Sequence, residues 1–197
     1  VAGFNIIGTA PGVKSASSCF VMDIPDKKWG KDGLMIFGDC ATIPNPTAEE
    51  LAEIALMSAE SCRTFLNTEP IVAMLSFSTK GSAKHENVDK VVKALEIVKA
   101  KNPNLIIDGE LQADAALVES VGKQKAPNSK VPGHANVLIF PDLQAGNIGY
   151  KLVQRFGGAA AYGPMLQGFA QPITDLSRGC TWEEIVNTAA ITLTQVK

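Results

Sequence analysis

Apolar residues along this chain follow two rhythms. Five short apolar runs have strand length: "SSCFVMDI" (Ser17–Ile24), "GLMIFGD" (Gly33–Asp39), "PIVAMLS" (Pro70–Ser76), "LIIDGEL" (105–111) and "NVLIFPD" (136–142). Such runs fit strands covered on both faces. The first two are joined by "PDKKWGKDG", a loop whose Pro, Gly, Asp and Lys predict an antiparallel pair. Between the other runs the period changes. Leu51, Ile54, Ala55, Met57, Ser58, Cys62 and Phe65 recur at helical spacing behind Thr47 and Glu50. That pair has the capping-box pattern, and the segment predicts a helix of about 18 residues. Val88, Val91, Val92, Leu95 and Val98 predict a second helix from about Asn87 to Lys101, stopped at "KNPN". "QADAALVESVGKQ" reads as a third helix, and "LQAGNIGYKLVQRF" as a loop passing into a fourth. "GGAAAYGP" (157–164) is small and flexible, suited to a hinge or crossover, and Thr181 to Val196 reads as the last helix.

Strands alternating with helices predict an α/β fold, three layers deep, with a mostly parallel sheet and a mixed edge supplied by the first hairpin. Composition adds that the core is real: 46% of residues are hydrophobic and only 19% charged, which excludes a disordered chain. A net charge of −2 gives no electrostatic reason for a nucleic-acid or anionic-membrane partner. No apolar run reaches the roughly 20 residues a membrane helix needs. Cys19, Cys40, Cys62 and Cys180 form no C-x-x-C pair, and His85 and His134 are the only histidines. A zinc site is therefore not expected, and the cysteines read as reduced, mainly buried thiols of a cytoplasmic protein. His85 and His134 read as solvated rather than catalytic. The opening "VAGFNIIGTAPG" begins with an apolar run already under way, so a fragment of a longer polypeptide is expected.

In such a sheet, ligands sit beyond the carboxyl ends of the strands. No P-loop or dinucleotide fingerprint is present, which disfavours kinases and dehydrogenases. "SFSTKGSA" places Ser76, Ser78, Thr79 and Lys80 just past a strand. These groups suit an anion pocket, and they equally suit a loop that caps the next helix. "PDLQAGNIGYK" offers Gln144, Asn147 and Tyr150, either for a ligand or for the helix N-terminus. In "DLSRGCTWEEIV", Thr181 and Glu184 repeat the capping-box pattern, while Ser177 and Arg178 form a turn suited to an anionic or oxyanionic ligand. The pattern alone leaves that segment undecided.

Taken together, "GTAPGVKSASSCFVM", "FGDCATIPNPTAEELAEIA", "MLSFSTKGSA", "DGELQADAA", "ANVLIFPDLQAGNIGYKLVQR" and "GPMLQGFAQPITDLSRGC" resemble the phosphate acetyl/butyryltransferase family, on its phosphotransacetylase branch. The resemblance spans almost the whole chain. It implies the reaction CoA + acetyl phosphate ⇌ acetyl-CoA + phosphate, with CoA as a substrate and no metal or cofactor. It further implies a homodimer whose subunits have two α/β domains of isocitrate-dehydrogenase-like architecture, with the site in the cleft between them. On that plan residues 1–10 end a first-domain segment, 11–157 form the second domain, and 158–197 return to an incomplete first domain. Ser177 and Arg178 match the family's cleft-lining "LSRG" motif. Glu184 takes the place of the carboxylate, more often Asp, that removes the proton from the CoA thiol. Between ordinary groups that transfer is uphill by roughly four pKa units, about 5–6 kcal/mol, so neighbours favouring thiolate are required. Val1 stands where the family has an arginine in "R-A-G-x-x-I-I-G". The alternatives are a phosphate butyryltransferase and a non-catalytic CoA-binding regulatory module of a larger protein.

Overall fold

A computed structural model describes residues 2–196; the expectation attached to Val1 lies outside the described residues. In chain order the elements are α1 (Ala2–Ile6), β1 (Ser17–Asp23), β2 (Leu34–Gly38), α2 (Ala48–Leu66), β3 (Ile71–Leu75), α3 (Glu86–Lys101), β4 (Ile106–Leu111), α4 (Ala113–Leu117), α5 (Glu119–Lys125), β5 (Val137–Ile139), α6 (Leu143–Phe156), β6 (Ala160–Gln167), β7 (Ile173–Thr174) and α7 (Trp182–Leu193). One sheet of seven strands runs in the order β4-β3-β5-β2-β1-β6-β7. The β4-β3-β5-β2 half is parallel, and the β2-β1-β6-β7 half is antiparallel. The α/β class and the predicted hairpin are observed, with Cys19 opposite Gly38 and Asp23 opposite Leu34. The hairpin, however, lies in the middle of a mixed sheet and not at its edge, because β6 pairs along the outer side of β1.

Two cores follow from the two faces of each strand. Cys19 and Val21 of β1, Ile36 of β2, and Val72 and Met74 of β3 pack with α2 and α3. The alternate residues Phe20, Met22, Phe37, Ala73 and Leu75 pack with Ala115 and Ala116 of α4 and Tyr150 of α6. Period-two burial thus gives the sheet a helical layer on each side. The predicted capping box holds α2: Glu50 N–H donates to Thr47 Oγ1 at 3.2 Å, and Thr47 N–H donates to Glu50 Oε2 at 2.8 Å.

Two further expectations change. "GGAAAYGP" is not a hinge; from Ala160 onward it is β6, paired along β1 on one edge and β7 on the other. Small residues allow that pairing, because a Cβ on Gly163 would meet the Cys19 carbonyl oxygen at 3.0 Å, and its φ is +144°. The predicted third helix is two helices broken at Val118, whose backbone is extended. Across the break Gly133 N–H donates to the Ala116 carbonyl at 2.8 Å, and Gly122 lies so close to Pro132 that a Cβ would meet it at 2.2 Å. At the far edge residues 8–10 meet residues 168–170: Ala10 N–H donates to Gly168 O at 2.9 Å, and Ala170 N–H donates to Gly8 O at 3.0 Å.

Candidate active site

Helix α6 starts at Asp142, whose side chain accepts from Ala145 N–H at 2.8 Å. It lies directly on the loop after β2, since a Cβ on Gly146 would meet Asp39 O at 2.4 Å. That docking brings the Tyr150 ring onto Phe20 of β1, with centroids 4.3 Å apart and planes at 19°. On the other side, α7 packs on β6, and the turn before it closes through Cys180 N–H to Ser177 O at 3.1 Å. The Ser177 hydroxyl also accepts from Gly179 N–H at 3.4 Å. Between α6, β1, β6 and this turn lies a pocket of about 180 Å³.

Tyr150, Ser177 and Glu184 all line it. Glu184 is half-buried and held from two sides. One oxygen accepts from Thr181 N–H at 2.9 Å, completing the capping box of α7, and the other accepts from Gln154 Nε2 at 3.2 Å. Cys180 lines the same pocket, half-buried. Cys19, Cys40 and Cys62 are buried; desolvation pushes Cys19 and Cys62 up to about 12 and Cys40 well above its ordinary value, so none supplies a thiolate at neutral pH.

The remaining candidates stand elsewhere. Arg178 is exposed, outside the pocket lining, and makes no hydrogen bond or ion pair among the described residues. Gln144 is exposed near the start of α6. Asn147 is occupied, donating to Cys40 O at 3.1 Å and accepting from Lys151 at 2.7 Å. The loop after β3 is tied to the end of β4. Ser78 Oγ donates to Glu110 at 2.8 Å, Thr79 Oγ1 donates to Gln112 at 3.2 Å, and Lys80 Nζ reaches Asp108 at 2.5 Å and Gly109 O at 2.7 Å. Ser76 Oγ accepts from Ser78 N–H at 3.2 Å. These four do not meet Tyr150, Ser177 and Glu184 in the pocket.

Sequence reasoning missed Lys151, Gln154 and Arg155, which line the pocket from α6. The signal was there, because Tyr150 to Gln154 and Lys151 to Arg155 are i, i+4 pairs that share a helix face. The resulting arrangement sets a carboxylate, a hydroxyl and two cations around a small cavity, a set able to take a proton, steady an oxyanion and hold phosphate groups. A larger open groove of about 540 Å³, lined by Met57, Phe65, Gln167 and Phe169 among others, contains none of the candidate residues.

A family model described as Phosphate acetyl/butaryl transferase matches residues 2–193. A phosphate acetyltransferase of Clostridium acetobutylicum is 62% identical over 195 residues, covering 99% of this chain and 59% of that protein. Among solved structures, a phosphotransacetylase from Streptococcus pyogenes superposes with a TM-score of 0.91 at 49% identity, covering 98% of this chain and 57% of the other. The EutD phosphotransacetylase from Staphylococcus aureus gives 0.89 at 48% identity, covering 98% and 58%. The chain therefore spans under two thirds of the length of the relatives it matches.

Proposed function

The chain belongs to the phosphate acetyl/butaryl transferase family, and from that membership we propose that it carries the residues of a site moving an acetyl group reversibly between phosphate and CoA. The observation that carries this reading is the grouping of Glu184, Ser177, Lys151 and Arg155 around one small pocket. In the proposed reaction Glu184 accepts the proton of the CoA thiol, and the thiolate attacks the acetyl carbonyl carbon. The bond from that carbon to the phosphate oxygen breaks, and phosphate leaves. Lys151 and Arg155 favour thiolate over thiol, narrowing the uphill proton transfer. The Ser177 hydroxyl donates to the oxyanion, and the unpaired Arg178 clamps phosphate in a bidentate pair. No cofactor takes part. A cavity of about 180 Å³ supports a short acyl chain over a longer one.

The meeting of residues 8–10 with 168–170 supports assigning residues 1–10 and the chain beyond β6 to a common domain, while β6 itself belongs with 11–157 through its pairing with β1. Homodimer formation belongs to the same proposal and is supported by an exposed apolar row on α6, Ile148, Leu152 and Phe156. So does a cytoplasmic location, supported by four unpaired cysteines; no helix among the described residues is long and apolar enough to cross a membrane. Acetyl-CoA formation from CoA and acetyl phosphate, compared with Ser177→Ala and Arg178→Ala, tests the reading. Each variant is expected to lose at least tenfold in rate; rates equal to the parent in both would refute it.

A further inference from the structure

Thr188 lies on α7 one helical turn beyond Glu184, is 2% exposed, and lines the same pocket. Its Oγ1 is itself buried and has no hydrogen-bond partner among the described residues. A threonine inside a helix ordinarily satisfies its hydroxyl on the carbonyl four residues back. Thr192 does so, donating to Thr188 O at 2.7 Å, whereas Thr188 makes no such bond to Glu184. A buried hydroxyl without a partner costs stability, and valine would fill the same volume without that cost. A buried hydroxyl without a partner calls for an explanation, and the pocket that Thr188 lines offers one.

We propose that Thr188 is a substrate-binding residue whose hydroxyl donates to the acyl oxygen of an acyl phosphate lodged in the pocket. This inference rests on the acyl-transfer reading above. The pocket's chemistry selects that partner. Glu184, as a carboxylate, is acceptor-only and repels phosphate, whose charge is matched by Lys151 and Arg155. Thr188 is instead an uncharged donor, and Phe20, Ala161 and Leu176 supply the apolar lining. A neutral carbonyl beside a methyl group fits that corner, and its oxygen gains charge as the thiolate attacks, so the hydrogen bond strengthens along the reaction.

Calorimetric titration of the chain with acetyl phosphate, with CoA and with inorganic phosphate, together with thermal melts, tests this in the parent, Thr188→Val and Thr188→Ser. Thr188→Val is expected to melt no lower than the parent yet to bind acetyl phosphate about tenfold more weakly, the value of one neutral hydrogen bond. Thr188→Ser keeps the affinity, and inorganic phosphate binds all three alike. Parent-like acetyl phosphate affinity in Thr188→Val overturns the inference alone. A lower melting temperature in Thr188→Val also overturns it, since the hydroxyl would then have a structural partner such as a trapped water. A parent that binds neither acetyl phosphate nor CoA overturns the acyl-transfer reading and this inference with it.

Discussion

Asp108 and Glu184 are both carboxylates in segments that the sequence singles out, and their neighbours give them different work. Burial is the largest single influence on Asp108 and opposes its ionisation. Hydrogen bonds from Lys80, Ser129 and the Gly109 N–H, with the Lys80 charge, outweigh it and hold the carboxyl below its ordinary range. A depressed folded-state pKa contributes stability above the unfolded value of about 3.9, lost as pH falls through the lower folded value. Melting temperature should therefore fall with acidification below about pH 4, and Asp108→Asn should flatten that part of the profile while melting lower at pH 7. Lys80→Met should likewise cost roughly 1 kcal/mol of stability in denaturant titrations while leaving acetyl phosphate affinity unchanged. A Lys80→Met variant that binds more weakly would return the loop after β3 to the site. The sequence shows Ser78, Thr79 and Lys80 as free polar groups, because Glu110, Gln112 and Asp108, which occupy them, lie about thirty residues away on β4 and just after it. By contrast, Thr47 with Glu50 and Thr181 with Glu184 were legible, since both partners of each box sit within four positions of the chain.

The elements divide along the same line between local and remote causes. Helix α2 carries its start signal in its own residues, and Thr47→Ala should cost about 1 kcal/mol, measured by urea unfolding. Strand β5 has only three residues and lies between β3 and β2. Ile139 there is 1% exposed, so Ile139→Ala should cost about 2–5 kcal/mol; a loss below 1 kcal/mol would mean that the site collapses freely. Strand β6 was illegible because glycine and alanine carry little hydrophobic signal, and its partner β1 lies some 140 residues earlier. The break at Val118 was illegible for a similar reason: it depends on Pro132 and Gly133, which belong to a loop the helical pattern does not include. Helix α6 was recognised, but its pocket-lining face was not. Which of its sides meets α7 is decided by the docking of Gly146 on the loop after β2.

For the whole molecule, both halves of the sheet contribute to the two cores, and the antiparallel half brings α6 and α7 to the two sides of the pocket. Ser177 and Glu184, which the family motifs single out, line one pocket. Only the fold adds Gln154, Lys151, Arg155 and Thr188 to their surroundings. The exposed row on α6 predicts association in solution. Sedimentation should give a mass of twice the chain's 20.8 kDa, reduced to the monomer by Leu152→Glu; a monomeric parent would remove that part of the proposal. The central claim is that Glu184, steadied by Thr181 and Gln154, is the base for the CoA thiol. It is tested most directly by the rate of thioester formation from CoA and acetyl phosphate in the parent and in Glu184→Gln, with folding checked by circular dichroism. The account predicts turnover in the parent and a loss of at least a hundredfold in the folded variant. Parent-like turnover in Glu184→Gln, or none from a folded parent, would contradict it.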